Sequence, residues 1–207
     1  MAETSQDQVS SGPLPSGRHR LSREQVVASQ RGRMLAAMAE TMMQKGYVGT
    51  SVAEIIRRAG VSRETFYQQF RSKQDCFLQG LDTALEIFNQ LRMTVPDSGR
   101  APEEVFRDLL RGYLGTLAAQ PALARLFLVE VYAAGPEVLE HRRQAQSLFV
   151  AAMAEVFGVE SEEDRFACEA VVAAVAQLVT AHLVADDIEG LKALEGPMTR
   201  LAVRLLT

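Results

Sequence analysis

Between Thr50 and Lys73 the chain reads Thr-Ser-Val-Ala-Glu-Ile-Ile-Arg-Arg-Ala-Gly-Val-Ser-Arg-Glu-Thr-Phe-Tyr-Gln-Gln-Phe-Arg-Ser-Lys, and this stretch restricts the fold more than any other. Ser51 and Glu54 have the Ser-x-x-Glu spacing of a capping box, so a helix starts at Val52. Ala59-Gly60-Val61-Ser62 ends that helix, because Gly60 can enter the left-handed conformation that a Cβ resists. Ser62 caps a second helix, and Val61 and Phe66 have the spacing of a hydrophobic staple that sets its entry angle. Two helices this short, joined by so tight a turn, make a helix-turn-helix.

The second helix is defined by what it presents. With Phe66 and Phe70 at i and i+4 turned inward, Arg63, Glu64, Tyr67 and Gln68 lie on the opposite, wet face. A helix of this size fits the major groove of B-DNA, where Arg bonds guanine, Glu accepts from cytosine and Gln pairs with adenine. The competing reading is a helical interaction module with no DNA role, which predicts no salt-sensitive affinity for DNA.

Gly46-Tyr47, Ala59-Gly60-Val61-Ser62, Thr65-Phe66-Tyr67, Phe70 and Ser72-Lys73 resemble the DNA-binding region of the TetR family of transcriptional regulators. The likeness is close from Gln30 to Leu85; beyond that it rests on helical character and length. The resemblance implies that Ser62, Arg63 and Thr65 sit at the groove end of the recognition helix, that Tyr67 and Lys73 contact phosphates, and that Thr50 and Ser51 approach the DNA backbone. One departure is Ile56, where the family usually has a small residue at the crossing of the two helices. The resemblance further implies a ligand-responsive regulator, most often a repressor, that binds a palindromic operator in double-stranded DNA as a homodimer.

A net charge of −4 argues against a nucleic-acid partner until its distribution is considered. Residues 18–73 hold eleven Lys and Arg against four acids, and the rest of the chain holds eleven against twenty-two. The cationic third is therefore the part that phosphates attract. Residues 1–22 read as a disordered tail ending in a basic arm, Arg18-His19-Arg20 with Arg23 just beyond, which either enters the minor groove or only adds charge as a solvated linker. Residues 23–71 form the DNA-binding domain and 72–207 a larger helical domain for effector binding and dimerisation. No run of about 20 apolar residues is evident, and the first residues lack a basic-then-apolar signal pattern, so no membrane partner and a cytoplasmic location are expected. Cys76 and Cys168 have no Cys-x-x-Cys spacing; they read as free buried thiols, with a redox sensor as the alternative.

Taken in order, the chain is all-α with about nine helices. Leu21-Ser22-x-x-Gln25-Val26 supplies a capping box and a staple, so the first helix begins near Arg23; it ends at Gly46, with Met34, Met38 and Met42 as core filling. Ser72, with Asp75 in the capping-box position, opens a fourth helix that runs to Val95-Pro96 and joins the two domains as a lever. A fifth starts at Pro102, a sixth spans Ala122 to about Ala134, and a seventh spans Glu137 to Phe157. The eighth starts after Ser161 and is apolar all round from Ala170 to Ala185, with only Gln177, Thr180 and His182 polar. Rich in alanine, it and a last helix from Pro197 to Leu206 form a homodimer interface, unless the eighth is the central helix of a monomer.

No catalytic pattern, metal site or cofactor motif emerges, so the chain is not expected to be an enzyme. Glu137 and His141, at i and i+4, share a metal or form an ion pair, and Asp186-Asp187-Ile188-Glu189 reads as a frayed, solvated turn. Gln177 and Thr180 share one face of the eighth helix, and His182 points nearly the other way. One of these two polar sets, taken as Gln177 and Thr180, outlines with Tyr113, Phe127, Tyr132 and Met153 on neighbouring helices and Phe88 on the fourth an apolar pocket for a small-molecule effector, or else a set of satisfied core residues.

Overall fold

Ser22 is the first residue described in the computed structural model, which covers residues 22–94 and 99–207, with the side chains of 87–89 and 91–94 left out. The staple residue Leu21 and the arm at Arg18-His19-Arg20 lie outside the described residues. Helix α1 (Arg23–Gly49) opens on the anticipated capping box: the Ser22 hydroxyl accepts from the Gln25 amide at 3.1 Å, and the Gln25 side chain accepts from the Ser22 amide at 2.9 Å. At Gly46 the backbone turns to φ 71°, so the regular helix stops where expected and Tyr47–Gly49 add one offset turn. Helix α2 (Val52–Ala59) carries the second capping box, and Gly60 closes it at φ 63°. Helix α3 (Arg63–Gln69) starts on the Ser62 hydroxyl, which accepts from the Thr65 amide at 3.0 Å.

Helices α4 (Lys73–Thr94), α5 (Pro102–Ala119), α6 (Pro121–Leu128), α7 (Pro136–Phe157), α8 (Glu162–Val184), α9 (Ile188–Ala193) and α10 (Glu195–Leu206) follow, with a 3-10 turn at Glu130–Ala133. The described residues contain no strand, so the all-α reading holds. Three details differ from expectation. The sixth helix breaks at Val129 and continues as the 3-10 turn. The acidic stretch at 186–189 is not a frayed end: Asp187 caps α9, accepting from the Gly190 amide at 2.8 Å and lying 2.9 Å from His182 Nδ1. The last helix begins at Glu195, so Pro197 sits within its first turn, where a missing N–H costs nothing.

Three apolar clusters hold these helices together. The first gathers Met34, Met38, Ile55, Phe66, Phe70 and Phe77, all at most 1% exposed, and continues past residue 71 to Leu126, Phe127, Val131 and Val138. The second centres on Leu114, Val179, Leu183 and Leu191, the third on Met153, Cys168, Val171 and Ala202. Both cysteines are free and buried, and burial pushes the Cys76 thiol up to about 12, which removes the thiolate a redox sensor needs.

Helix α8 buries only one side. Cys168, Val171, Val179 and Leu183 face inward, while Phe166, Ala170, Ala173, Gln177, Ala181 and Val184 form an exposed stripe at helical spacing. That stripe argues against a fully covered central helix in a monomer. By length and composition α8 could cross a bilayer, with a mean hydropathy of 1.7 over an 18-residue window, which a search for unbroken apolar runs misses. His141 does not pair with Glu137; its Nε2 lies 2.7 Å from Asp82 Oδ1 and ties α7 to α4.

Candidate nucleic-acid interface and effector cavity

Phe66 and Phe70 are 0% and 1% exposed, and their rings lie 5.4 Å apart, so α3 is fixed to the core along one side. Burying two such side chains stabilises the attachment by about 3 to 6 kcal/mol in transfer terms. The opposite face carries Arg63, Glu64, Tyr67 and Gln68, all exposed. Arg63 stacks its guanidinium 5.5 Å over the Tyr67 ring, and Gln68 donates to Glu64 at 3.3 Å. These contacts hold the side chains outward without neutralising Arg63. Ser62 and Thr65 stand at the amino end of α3 with their hydroxyls 2.9 Å apart.

The flanking residues divide into those that can reach a phosphate and those that brace. Ser51 is exposed at the start of α2, although its hydroxyl is engaged with Glu54. Thr50 departs from expectation: it is 3% exposed, and its hydroxyl donates to the Gly46 carbonyl at 2.9 Å, so its side chain braces the turn instead of facing DNA. Lys73 does both. Its ammonium donates to the Tyr47 and Thr50 carbonyls at 2.7 and 3.0 Å and sits 4.1 Å over the Tyr47 ring, which leaves one of its three N–H groups. Partial burial lowers its pKa. Lys45 pairs with Glu54 and Arg58 with Glu40, so neither carries its full charge outward. Arg57 and Arg71 are exposed, the latter with 91% of its side chain in water, and neither was singled out from the sequence. Their signal was their place, at the end of α2 and just after α3.

A cavity of about 320 Å³ opens between α4, α5, α6, α7 and α8. Tyr113, Phe127 and Met153 line it as anticipated, and burial pushes the Tyr113 hydroxyl up to about 12. The other polar expectations fail. Gln177 lies on the exposed stripe of α8, and Thr180 donates its hydroxyl to the Ala176 carbonyl at 2.8 Å. Tyr132 is 54% exposed on the outer surface. None of these three lines the cavity, and the side chain of Phe88 lies outside the described residues. Among the described residues the polar groups that line it besides Tyr113 are Asp108, Arg142 and Gln146, which the sequence does not single out because they look like ordinary surface residues of charged helices.

Phe127 belongs to two structures at once. It lines the cavity and also packs in the first core, 5.7 Å from the Phe77 ring and 3.5 Å from where a Cβ on Gly80 would stand. Two hydrogen bonds cross the same seam: Tyr47 N donates to Glu130 at 2.7 Å, and the Gln74 side chain donates to the Ala134 carbonyl at 3.1 Å.

Residues 34–79 match the family profile of the bacterial regulatory proteins of the TetR family. The HTH-type transcriptional activator FasR of Mycolicibacterium smegmatis is 32% identical over 103 residues, covering 46% of this chain and 47% of that protein. The match therefore spans about half the length of that curated relative. Among solved structures, the fatty acid degradation regulator FadR of Bacillus halodurans superimposes with a TM-score of 0.73 at 21% identity, covering 84% of this chain and 94% of that one. FadR of Bacillus subtilis, in complex with stearoyl-CoA, gives 0.72 at 16% identity, covering 84% and 98%. At these identities the likeness is one of fold.

Proposed function

From the premise that this chain belongs, by its residues 34–79, to the TetR family of bacterial regulatory proteins, we propose that it is a ligand-responsive transcriptional repressor. In this reading residues 23–71 read DNA, and residues 72–207 bind the effector and form the dimer. The observation that carries it is the outer face of α3, where Arg63, Glu64, Tyr67 and Gln68 stand in water on a helix locked by Phe66 and Phe70. The protein acts in the cytoplasm as a homodimer that joins two copies of α8 and α10. The exposed alanines of α8 support this, since small side chains let helices approach closely and an apolar stripe gains most from being covered. A twofold axis then spaces the two recognition helices by one turn of DNA, about 34 to 36 Å or somewhat more, and the operator is palindromic.

A small molecule in the cavity presses on Phe127 and on Leu81 of α4, and α4 carries the displacement to the carboxyl end of α3, which it follows in the chain. A coupling of about 1 to 3 kcal/mol changes occupancy roughly 5- to 150-fold, which is enough for a switch. That FadR of Bacillus subtilis was solved with stearoyl-CoA supports an effector role for a cavity in this fold. Protection mapping on the DNA flanking its own coding region tests the proposal, followed by Arg63→Ala on the protected site and on unrelated duplex. Loss of the preference supports base readout; an equal fall on both reduces Arg63 to a phosphate contact.

A further inference from the structure

Among the described residues the cavity is lined mostly by apolar side chains and holds one charge without an opposite partner. Helix α7 shows this directly, because Arg142, Gln146, Phe149, Met153 and Val156 all line the cavity along one of its faces. From Arg142 to Val156 the helix axis advances about 21 Å, polar at its amino side and apolar beyond. Of the two charged residues in the lining, Asp108 is tied to Arg100 at 2.7 Å and to Arg111 at 3.0 Å. Arg142 has no carboxylate partner among the described residues. Its neighbour Arg143 takes Glu140 at 2.6 Å. Arg142 instead donates to the neutral Tyr132 hydroxyl at 3.2 Å and lies 5.3 Å over that ring. A guanidinium has five N–H donors in a planar fork suited to a carboxylate, and this one uses one of them.

Resting on the effector reading above, we infer that the cavity takes an amphipathic monoanion, with a carboxylate at Arg142 and Gln146 and an apolar tail running toward Phe149, Met153 and Val156. A cation is repelled by Arg142. A neutral ligand of the same shape leaves the guanidinium beside apolar surface without a counter-charge, and attraction between opposite charges is stronger at such a site than in bulk water.

Titration calorimetry of the full-length protein with decanoate, 1-decanol and decylammonium separates the possibilities. Decanoate binds tenfold or more tighter than decanol, and decylammonium binds weakest. Arg142→Gln brings decanoate and decanol to within about twofold of each other, and Arg142→Lys keeps part of the preference, with thermal melts confirming that both variants fold. If decanol matches decanoate on the parent protein, or the preference survives Arg142→Gln, the anion inference is overturned while the cavity stands as a ligand site. If none of the three binds at millimolar concentration, the effector cavity itself is overturned, and operator binding by the same sample shows that the DNA reading is unaffected.

Discussion

Glu130 is the side chain whose removal should be felt most widely for its size. Its carboxylate accepts from the Tyr47 amide at 2.7 Å across 83 residues of sequence, joining the 3-10 turn after α6 to the last turn of α1. Tyr47 is 9% exposed, and Gly46 beside it is held at φ 71°, so that amide cannot easily turn to another acceptor. A hydrogen bond to a charged group contributes about 1.5 to 3 kcal/mol, and an orphaned amide costs about 1 to 3 kcal/mol. Because Glu130 is only half-buried and water can partly replace it, Glu130→Ala should cost about 1.5 to 2 kcal/mol. For a chain of this size that is a fall of roughly 3 to 8 °C in Tm. Glu130→Gln keeps an acceptor without its charge and should cost about half as much. Urea unfolding followed by circular dichroism measures both, at one fixed protein concentration so that the dimerisation proposed above does not shift stability between samples. An alanine variant within about 0.5 kcal/mol of the parent would refute the reasoning, as would a glutamine variant less stable than the alanine one.

Lys73→Ala removes the clamp on the Tyr47 and Thr50 carbonyls, so it should lower stability by about 1 to 2 kcal/mol. It should also weaken operator and unrelated DNA alike with a shallower salt dependence; unchanged binding would take Lys73 out of the interface. The Glu54 carboxyl is held down at about 2, first by its hydrogen bond from Lys45 and next by those from Ser51. A carboxylate depressed in the folded state stabilises above its unfolded value of about 4.3 and loses that contribution as pH falls through the folded one. The stability gap between the parent and Glu54→Gln should therefore be full at neutral pH and shrink between about pH 5 and pH 2; a gap unchanged across that range would contradict this account. Ala173→Arg places a guanidinium in the middle of the exposed stripe of α8 and, for the dimer proposed above, should halve the mass seen by light scattering; a dimeric mass kept by the variant would refute the α8 contact, and a monomeric parent would refute the dimer.

What could be read in advance was what depends on neighbours in sequence. Ser22, Ser51 and Ser62 each bond an amide three residues on, and Gly46 and Gly60 each take the positive φ their positions require, so helix ends were legible from spacing alone. The outward face of α3 was legible for the same reason, since Phe66 and Phe70 set its rotation. Rotation is also where the reading failed. A helix apolar on every side, such as α8, carries no sequence signal of which side turns inward, and Gln177, expected in the cavity, stands in solvent. Arg142 sits next to Arg143 in a charged segment and nothing in the sequence separates the two; only packing shows that one of the pair is neutralised by Glu140 and the other faces apolar walls. The resemblance implies that Thr50 approaches the DNA backbone, whereas its burial follows from the kink at Gly46.

The first apolar cluster, which runs from Met34 through Phe77 to Val138, bears on protein engineering. A sensor assembled by splicing residues 23–71, the proposed DNA reader, onto a foreign receiver would sever that cluster, stripping Met34, Phe66 and Phe70 of Phe77, Leu126, Phe127 and Val131. Hybrids should tolerate a junction only where α4 and the α6 to 3-10 segment travel together with the reader. If the cavity is the effector site proposed above, new specificities enter this scaffold through substitutions along its α7 and α8 walls, with everything from α1 to α4 and the α6 to 3-10 segment left as one inherited piece.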